Sequence, residues 1–405
     1  MSTIESASLR TKSGPRVADF VAFVGDRQTE QVLKSFVIDE AMPHVYIAIG
    51  NINDAIAHIA KVGRSPRLLL VDLQGSVMPL SDLARLADVC EPSVQVLALG
   101  ERNDVGLYRS LLKIGVRDYL VKPLSVELLK RTVDLSEGKV NPVTLARAGK
   151  TIAFVGARGG VGVTTIAVNL ARHLADDTHR RIAFIDLNVH GGAANTMLGV
   201  QSNNGLADVL QNVHRLDPAF VERTMVTKGS RLFMLSAELP YGPERPFADG
   251  GLARVLELLT DSFHYVLLDV GNRADPLTEE AFDHASRVYA IADRSVYSTR
   301  ETIRLLRHIG DRSNHPASSV LVNNPNAATN GKVQLADFTT AVGHTVLLEI
   351  PFESKALMIA ENVGEALKDR SAQGFSQSIA RIGSDLTGQH AAAQVGFLSK
   401  LGWKR

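Results

Sequence analysis

The sequence predicts an α/β protein built from two doubly wound parallel sheets. Three observations carry that expectation. Short apolar runs, each followed by a helical pattern, recur through both halves of the chain, as buried parallel strands with crossover helices require. A segment with Gly, Pro and basic ends, GKVNPVTLARAGK (138–150), interrupts the series once. The length of 405 residues allows about two to three domains.

Composition narrows the class. Hydrophobic residues make up 45% and charged residues 21%, an ordinary balance for a globular protein with sizeable cores. The net charge of +1 gives no global electrostatic case for nucleic acid or an acidic membrane. The single cysteine, Cys90, excludes an internal disulfide framework and fits a reducing compartment. No apolar run approaches about 18 residues, and the polar N-terminus lacks a signal-like core. The expectation is a cytoplasmic protein.

In chain order, residues 1–16 read as a disordered lead-in without periodicity. FVAFVG, HVYIAIG, RLLLVDL, VQVLALG and VRDYLVKP then read as five strands of a first domain, 17–137. The helices between them are expected over 27–36, 52–61, 81–87, 104–114 and 124–135. Asp72 closes the third strand and Lys122-Pro123 the fifth, at the carboxyl ends where open α/β sheets hold their sites. Taken alone, Asp72 could equally be a carboxylate capping the next turn.

Five βα units with that Asp and Lys-Pro resemble a two-component receiver domain, which is flavodoxin-like. The resemblance implies that Asp72 is the phosphoacceptor position and Lys122 its phosphate-contacting lysine. It also departs from the family. The acidic pair after the first strand is Gly25-Asp26, so only Asp26 remains of it, and the Ser/Thr switch after the fourth strand is Gly100. A divalent cation needs several oxygen ligands, so the loss of one carboxylate weakens that site. The expected role is therefore interaction or localisation rather than a phosphorylation switch.

After a linker over 138–149, a second domain is expected over 150–388. It opens with a strand, Thr151–Val155, and the loop ARGGVGVTT before a helical pattern. Strand, Gly-rich loop and helix in that order are the context of a phosphate-binding loop, with backbone N–H groups and the helix dipole converging on one point. A Gly-rich turn without a ligand is the plain alternative. Asp269 closes the apolar strand FHYVLLD, where a carboxylate could hold Mg²⁺ through water.

GGVG followed by TT resembles the deviant loop of the ParA/MinD family of P-loop ATPases. The resemblance runs through four separated segments over 150–386. It implies nucleotide contacts at Arg158, Gly159, Gly160, Val161, Gly162, Val163, Thr164 and Thr165, with Thr164 and Asp269 on Mg²⁺. It also implies nucleotide contacts at Asn323, through the adenine, and at Pro351, which precedes the closing signature helix with Ala360, Asn362 and Gly364. Three positions depart from it. Val163 replaces the loop lysine, Arg158 replaces the signature lysine, and Asp186-Leu187-Asn188 replaces an Asp-x-Asp. A guanidinium is not an ammonium, and an amide cannot act as a general base. Asp186 and Asn188 are thus a weakened catalytic pair, and hydrolysis is expected to be slow or lost.

A receiver-like module ahead of a MinD-like domain resembles the TadZ/CpaE family of tight-adherence (Flp) pilus assembly proteins. That resemblance implies an ATP-bridged homodimer at the cell pole, on the inner face of the membrane, whose partners are the pilus secretion machinery and polar proteins. The alternative is a cycling ATPase for DNA partitioning or division-site positioning. TRETIRLLRHIGDR (299–312) puts Arg300, Arg304 and Arg307 on one helix face, with Ile303, Leu306 and Ile309 on an apolar face. An ordinary solvated face is preferred there over DNA contact. The tail 389–405 interleaves Phe397, Leu398, Leu401 and Trp403 with Lys400, Lys404 and Arg405, as an interfacial membrane anchor or a segment docked on protein would.

Overall fold

The computed structural model describes residues 18–62, 64–137, 148–240, 247–271, 273, 275–324, 332–367 and 372–388. The expected N-terminal lead-in, most of the linker and the C-terminal tail lie outside the described residues. The chain divides into two compact units, Met1–Arg147 and Ala148–Arg405.

The first unit is a five-stranded sheet of β1 (Phe20–Val24), β2 (Val45–Ile49), β3 (Leu68–Asp72), β4 (Gln95–Gly100) and β5 (Asp118–Val121). Its order is β2-β1-β3-β4-β5 and every pairing is parallel. Successive residues of a strand point to opposite faces, and both faces are covered here. Val21, Phe23, Leu69 and Val71 enter one core, and Phe20, Ala22, Leu68 and Leu70 enter the other. That is why the strands read as continuous apolar runs rather than alternating ones. The strand order reverses between β1 and β3, so the ends of those two strands open a crevice at Gly25-Asp26 and Asp72.

The second unit is an eight-stranded sheet: β6 (Lys150–Gly156), β7 (Ile182–Asp186), β8 (Val226–Lys228), β9 (Leu232–Leu235), β10 (Tyr265–Val270), β11 (Arg287–Ala292), β12 (Ala317–Asn323) and β13 (Val346–Ile350). The order is β13-β12-β11-β6-β10-β7-β9-β8, parallel except for β8 against β9. Strand β6 is central, with Ala153 and Val155 in one core and Ile152 and Phe154 in the other. Burying side chains of this size stabilises by about 1.5–3 kcal/mol each, which fixes the loop that follows β6 on a rigid base.

The helices sit close to their expected places and differ at their ends. The third runs Pro79–Val89, the fourth Val105–Lys113 with Asp104 as its N-cap, and the fifth Val126–Glu137. In the helix Val296–Gly310 the buried positions are Ser298, Thr299, Glu301, Thr302, Leu305 and Ile309, while Ile303 and Leu306 are only partly buried. The buried stripe through Ser298, Thr302, Leu305 and Ile309 is therefore rotated from the face expected, and Glu301 pairs with Arg273. Arg300, Arg304 and Arg307 are exposed as expected.

Candidate functional site

In the second unit, β6 ends at Gly156 and the loop 157–162 leads into the helix Val163–Arg172. Gly162 is the N-cap at φ 90°, and Gly160 stands at φ 73°, both in the left-handed region that a side chain disfavours. Gly162 has no side chain with which to cap the helix, so the first-turn N–H groups remain available to an anion. Asn323, at the end of β12, donates from Nδ2 to the Val161 carbonyl at 2.7 Å. A Cβ on Gly162 would lie 2.5 Å from that nitrogen. In this state Asn323 braces the loop backbone, and its neighbour Asn324 is bonded to Glu349 and the Ile350 carbonyl. Pro351 follows β13 at the surface and packs against Gly374.

Val163 and Thr164 open the helix. Val163 is half-buried, packed on the core, with Cγ2 2.9 Å from where a Cβ on Gly156 would stand. The lysine position of the loop thus holds an aliphatic group folded back on the loop's own start. The Thr164 hydroxyl hydrogen-bonds the Asp269 carboxylate. Asp269 on β10 and Asp186 on β7 are register neighbours, 4% and 2% exposed. Burial pushes the proton affinity of Asp269 up, the nearby Asp186 adds to it, and Thr164 opposes it. Burial likewise raises Asp186, against backbone N–H donors from Asn188 and Ala194. Two desolvated carboxylates beside a hydroxyl form a donor set suited to a hard divalent cation, whose other ligands would come from phosphate and water. Among the described residues no cluster of three or more His, Cys, Asp or Glu could do the same. Asn188 accompanies Asp186 as expected; its side chain packs on Gly271, while the backbone of Gly192 closes over the Asp186 carboxylate.

Arg158 is not free in the loop. Its guanidinium pairs with Asp293, just past β11, and its Nη1 donates to the Gly159 carbonyl at 2.9 Å. Burial works against the charge of Asp293, but Arg158 and Ser295 hold its carboxyl below the ordinary range. Thr165 is half-buried, and its carbonyl accepts from Asn169 at 2.8 Å. Two residues that sequence reasoning missed complete the surroundings. One is Asp293. The other is Arg273, whose Nη1 donates to the Ala157 carbonyl at 2.8 Å and to Glu301 at 3.0 Å. Neither belongs to a local motif, so only the tertiary fold brings them to the loop.

In the first unit the three expected residues do meet. Lys122 Nζ lies 2.6 Å from Asp26, 2.5 Å from Asp72 and 2.9 Å from the Gln74 amide oxygen. Asp72 also accepts from the backbone N–H of Gly25 and of Gln74, each at 2.9 Å. Lys122 and the N-terminal turn at Thr29 pull Asp26 down to about 2. Desolvation works against the Lys122 ammonium, but Asp26 and Asp72 hold its pKa above the ordinary value.

A Cβ on Gly25 would come 2.8 Å from the amide oxygen of the exposed Gln74, so an acid at that position would have to displace the Gln74 side chain. At Gly100 a Cβ would come 2.5 Å from the Tyr119 hydroxyl, which donates to the Arg102 carbonyl. A hydroxyl switch is excluded there by a buried ring. An open cleft of about 520 Å³ runs beside Asp72, lined by Asn51, Gln74, Val77, Met78 and Arg85 among others.

One comparison with known proteins falls on the second unit. Residues 149–320 match the AAA domain family model. The chromosome-partitioning ATPase Soj of Thermus thermophilus is 29% identical over 163 residues, covering 39% of this chain and 60% of that protein. A ParA family ATPase from Chlorobium tepidum shares the fold with a TM-score of 0.53 at 18% identity, over 59% of this chain and 99% of that one. A putative CpaE2 pilus assembly protein from Sinorhizobium meliloti is 32% identical, covering 29% of this chain and 98% of that one, with a TM-score of 0.27. The chain spans between 42% and 60% of the length of the curated relatives it matches.

Proposed function

Because the second unit carries a ParA/MinD-like P-loop ATPase domain, we propose that the protein is an ATP-binding localisation and assembly factor for a tight-adherence pilus. It works as a nucleotide-bridged homodimer with weak or absent hydrolysis. The observation behind this reading is a site that keeps its cation donors, Thr164, Asp269 and Asp186, but holds Val163 and Asn188 where hydrolysis needs Lys and Asp. Mg²⁺ on Thr164 and Asp269 supplies charge neutralisation at the phosphates. The loop N–H groups from Gly159 to Thr165 would cradle them, with Asn323 and Pro351 read as nucleotide contacts on the family resemblance.

The first unit is read as a receiver-like module that does not depend on phosphorylation. Gln74 and Tyr119 crowd the positions where a second acid and a switch hydroxyl would stand. Such a module ahead of a ParA/MinD-like domain supports the pilus role, with pilus machinery and polar proteins as partners. Among the described residues no helix is long and apolar enough to cross a membrane. The tail 389–405 is read as contacting either the cytoplasmic face of the membrane or a protein surface.

ATP binding and hydrolysis by the purified protein with Mg²⁺, beside Val163→Lys, test this reading. Binding with negligible turnover, and turnover gained in Val163→Lys, is the expected result. Ready turnover by the unmodified protein would replace the scaffold with the second reading, a cycling ParA/MinD-type ATPase. The exposed Arg300, Arg304 and Arg307 are the side chains that alternative would use.

A further inference from the structure

A triphosphate entering the loop 157–162 meets no lysine at Val163 and finds Arg158 already paired with Asp293. Another cation stands beside the loop. Arg273 lies two residues beyond Gly271, past the end of the strand that carries Asp269. Its contact with the Ala157 carbonyl, at 2.8 Å, ties it to the first residue of the loop. Both of its described partners are met through Nη1.

The two arginines are held differently. Asp293 would keep only Ser295 as a described side-chain partner if Arg158 left it. Glu301 would not be stranded by the loss of Arg273, because Arg304 also donates to it at 2.8 Å. The Arg273 side chain is 36% exposed and that of Glu301 10%, so the cation is the accessible member of the pair. A phosphate carries more charge than one carboxylate and matches the guanidinium fork.

We propose that Arg273 is the phosphate-binding cation of this site, standing in for the lysine absent at 163, with Glu301 as the counter-ion from which nucleotide draws it. This rests on the reading that the loop binds ATP. The two residues then have opposite effects on binding. Arg273 contributes to the bound state, whereas Glu301 stabilises the empty one.

The test is the affinity of the full chain for trinitrophenyl-ATP with Mg²⁺, in the unmodified protein, Arg273→Ala, Arg273→Lys and Glu301→Gln. Arg273→Ala should weaken binding by about 10–100-fold, the worth of one charged hydrogen-bond set. Arg273→Lys should recover part of the loss, and Glu301→Gln should tighten binding. If Arg273 merely props the loop through its ion pair, Arg273→Ala and Glu301→Gln weaken binding together, and the proposal fails. Unchanged binding in Arg273→Ala also overturns it. Should that variant not fold, as judged by circular dichroism, Glu301→Gln decides, since tightening supports the proposal and weakening or no change overturns it. No binding by the unmodified protein removes the nucleotide reading, and this inference with it.

Discussion

Lys122 is the only cation among the described side chains bonded to Asp72, which is 2% exposed. Removing one partner of a buried pair leaves the other charged without compensation. Lys122→Met should therefore cost about 3–5 kcal/mol in chemical denaturation, and adding Asp72→Asn should recover a large part of it. The pH dependence follows from the same contacts. The folded pKa of Asp26 is depressed from 3.8 to about 2, so its contribution is full above the ordinary value and is lost as pH falls from 3.8 toward 2. That of Lys122 is raised above 10.5, so its contribution is full below 10.5 and is lost as pH rises through the raised value. In melting curves from pH 5 to 2, Asp26→Asn should flatten the acid limb. Asp269 makes the opposite case. Its burial beside Asp186 disfavours a second charge, so Asp269→Asn should raise the melting temperature of the nucleotide-free protein by about 2–4 °C for each kcal/mol gained. The same change should abolish Mg²⁺-dependent nucleotide binding. Asp72, Lys122, Thr164 and Asp269 were legible in the sequence because each sits at a fixed offset from a strand end. Gln74, Tyr119, Asp293 and Arg273 were not. What each does depends on a neighbour brought close only through space, and no spacing along the chain encodes that.

At the scale of elements, the loop between β6 and its helix is set by backbone shape before any side chain acts. Gly162→Ala would place a methyl group in the left-handed region and against Asn323, so it should cost about 1–3 kcal/mol and weaken nucleotide binding together. Asn323→Ala removes the brace on Val161 without touching the loop itself. A milder loss of affinity there would separate loop shape from loop support. Gly100→Ser at the end of β4 should cost about 1–3 kcal/mol, because the new side chain forces the Tyr119 ring to shift from its hydrogen bond to the Arg102 carbonyl. The long parallel strands were readable from their apolar runs. Strands β8 and β9 and the helices Ala194–Leu198, Gly205–Gln211 and Pro218–Thr224 were not, since segments of 3 to 7 residues carry too little periodicity to stand out.

The whole molecule joins two independent units, each with cores on both faces of its own sheet. The two proposed readings separate at this scale. Arg300→Glu with Arg307→Glu should leave nucleotide binding intact, since both side chains are exposed on the helix surface and neither is a partner of Glu301. Salt-sensitive DNA binding that this pair abolishes would favour the partitioning alternative. The rim of the larger sheet has a consequence of its own. Strand β8 is three residues long, ends in Lys228 and runs against its neighbour β9. A stray extended chain seeking to lengthen the sheet finds few backbone groups there, a reversed direction and a charge. At that rim the molecule can be crowded without being copied, since a neighbouring chain finds little there to extend.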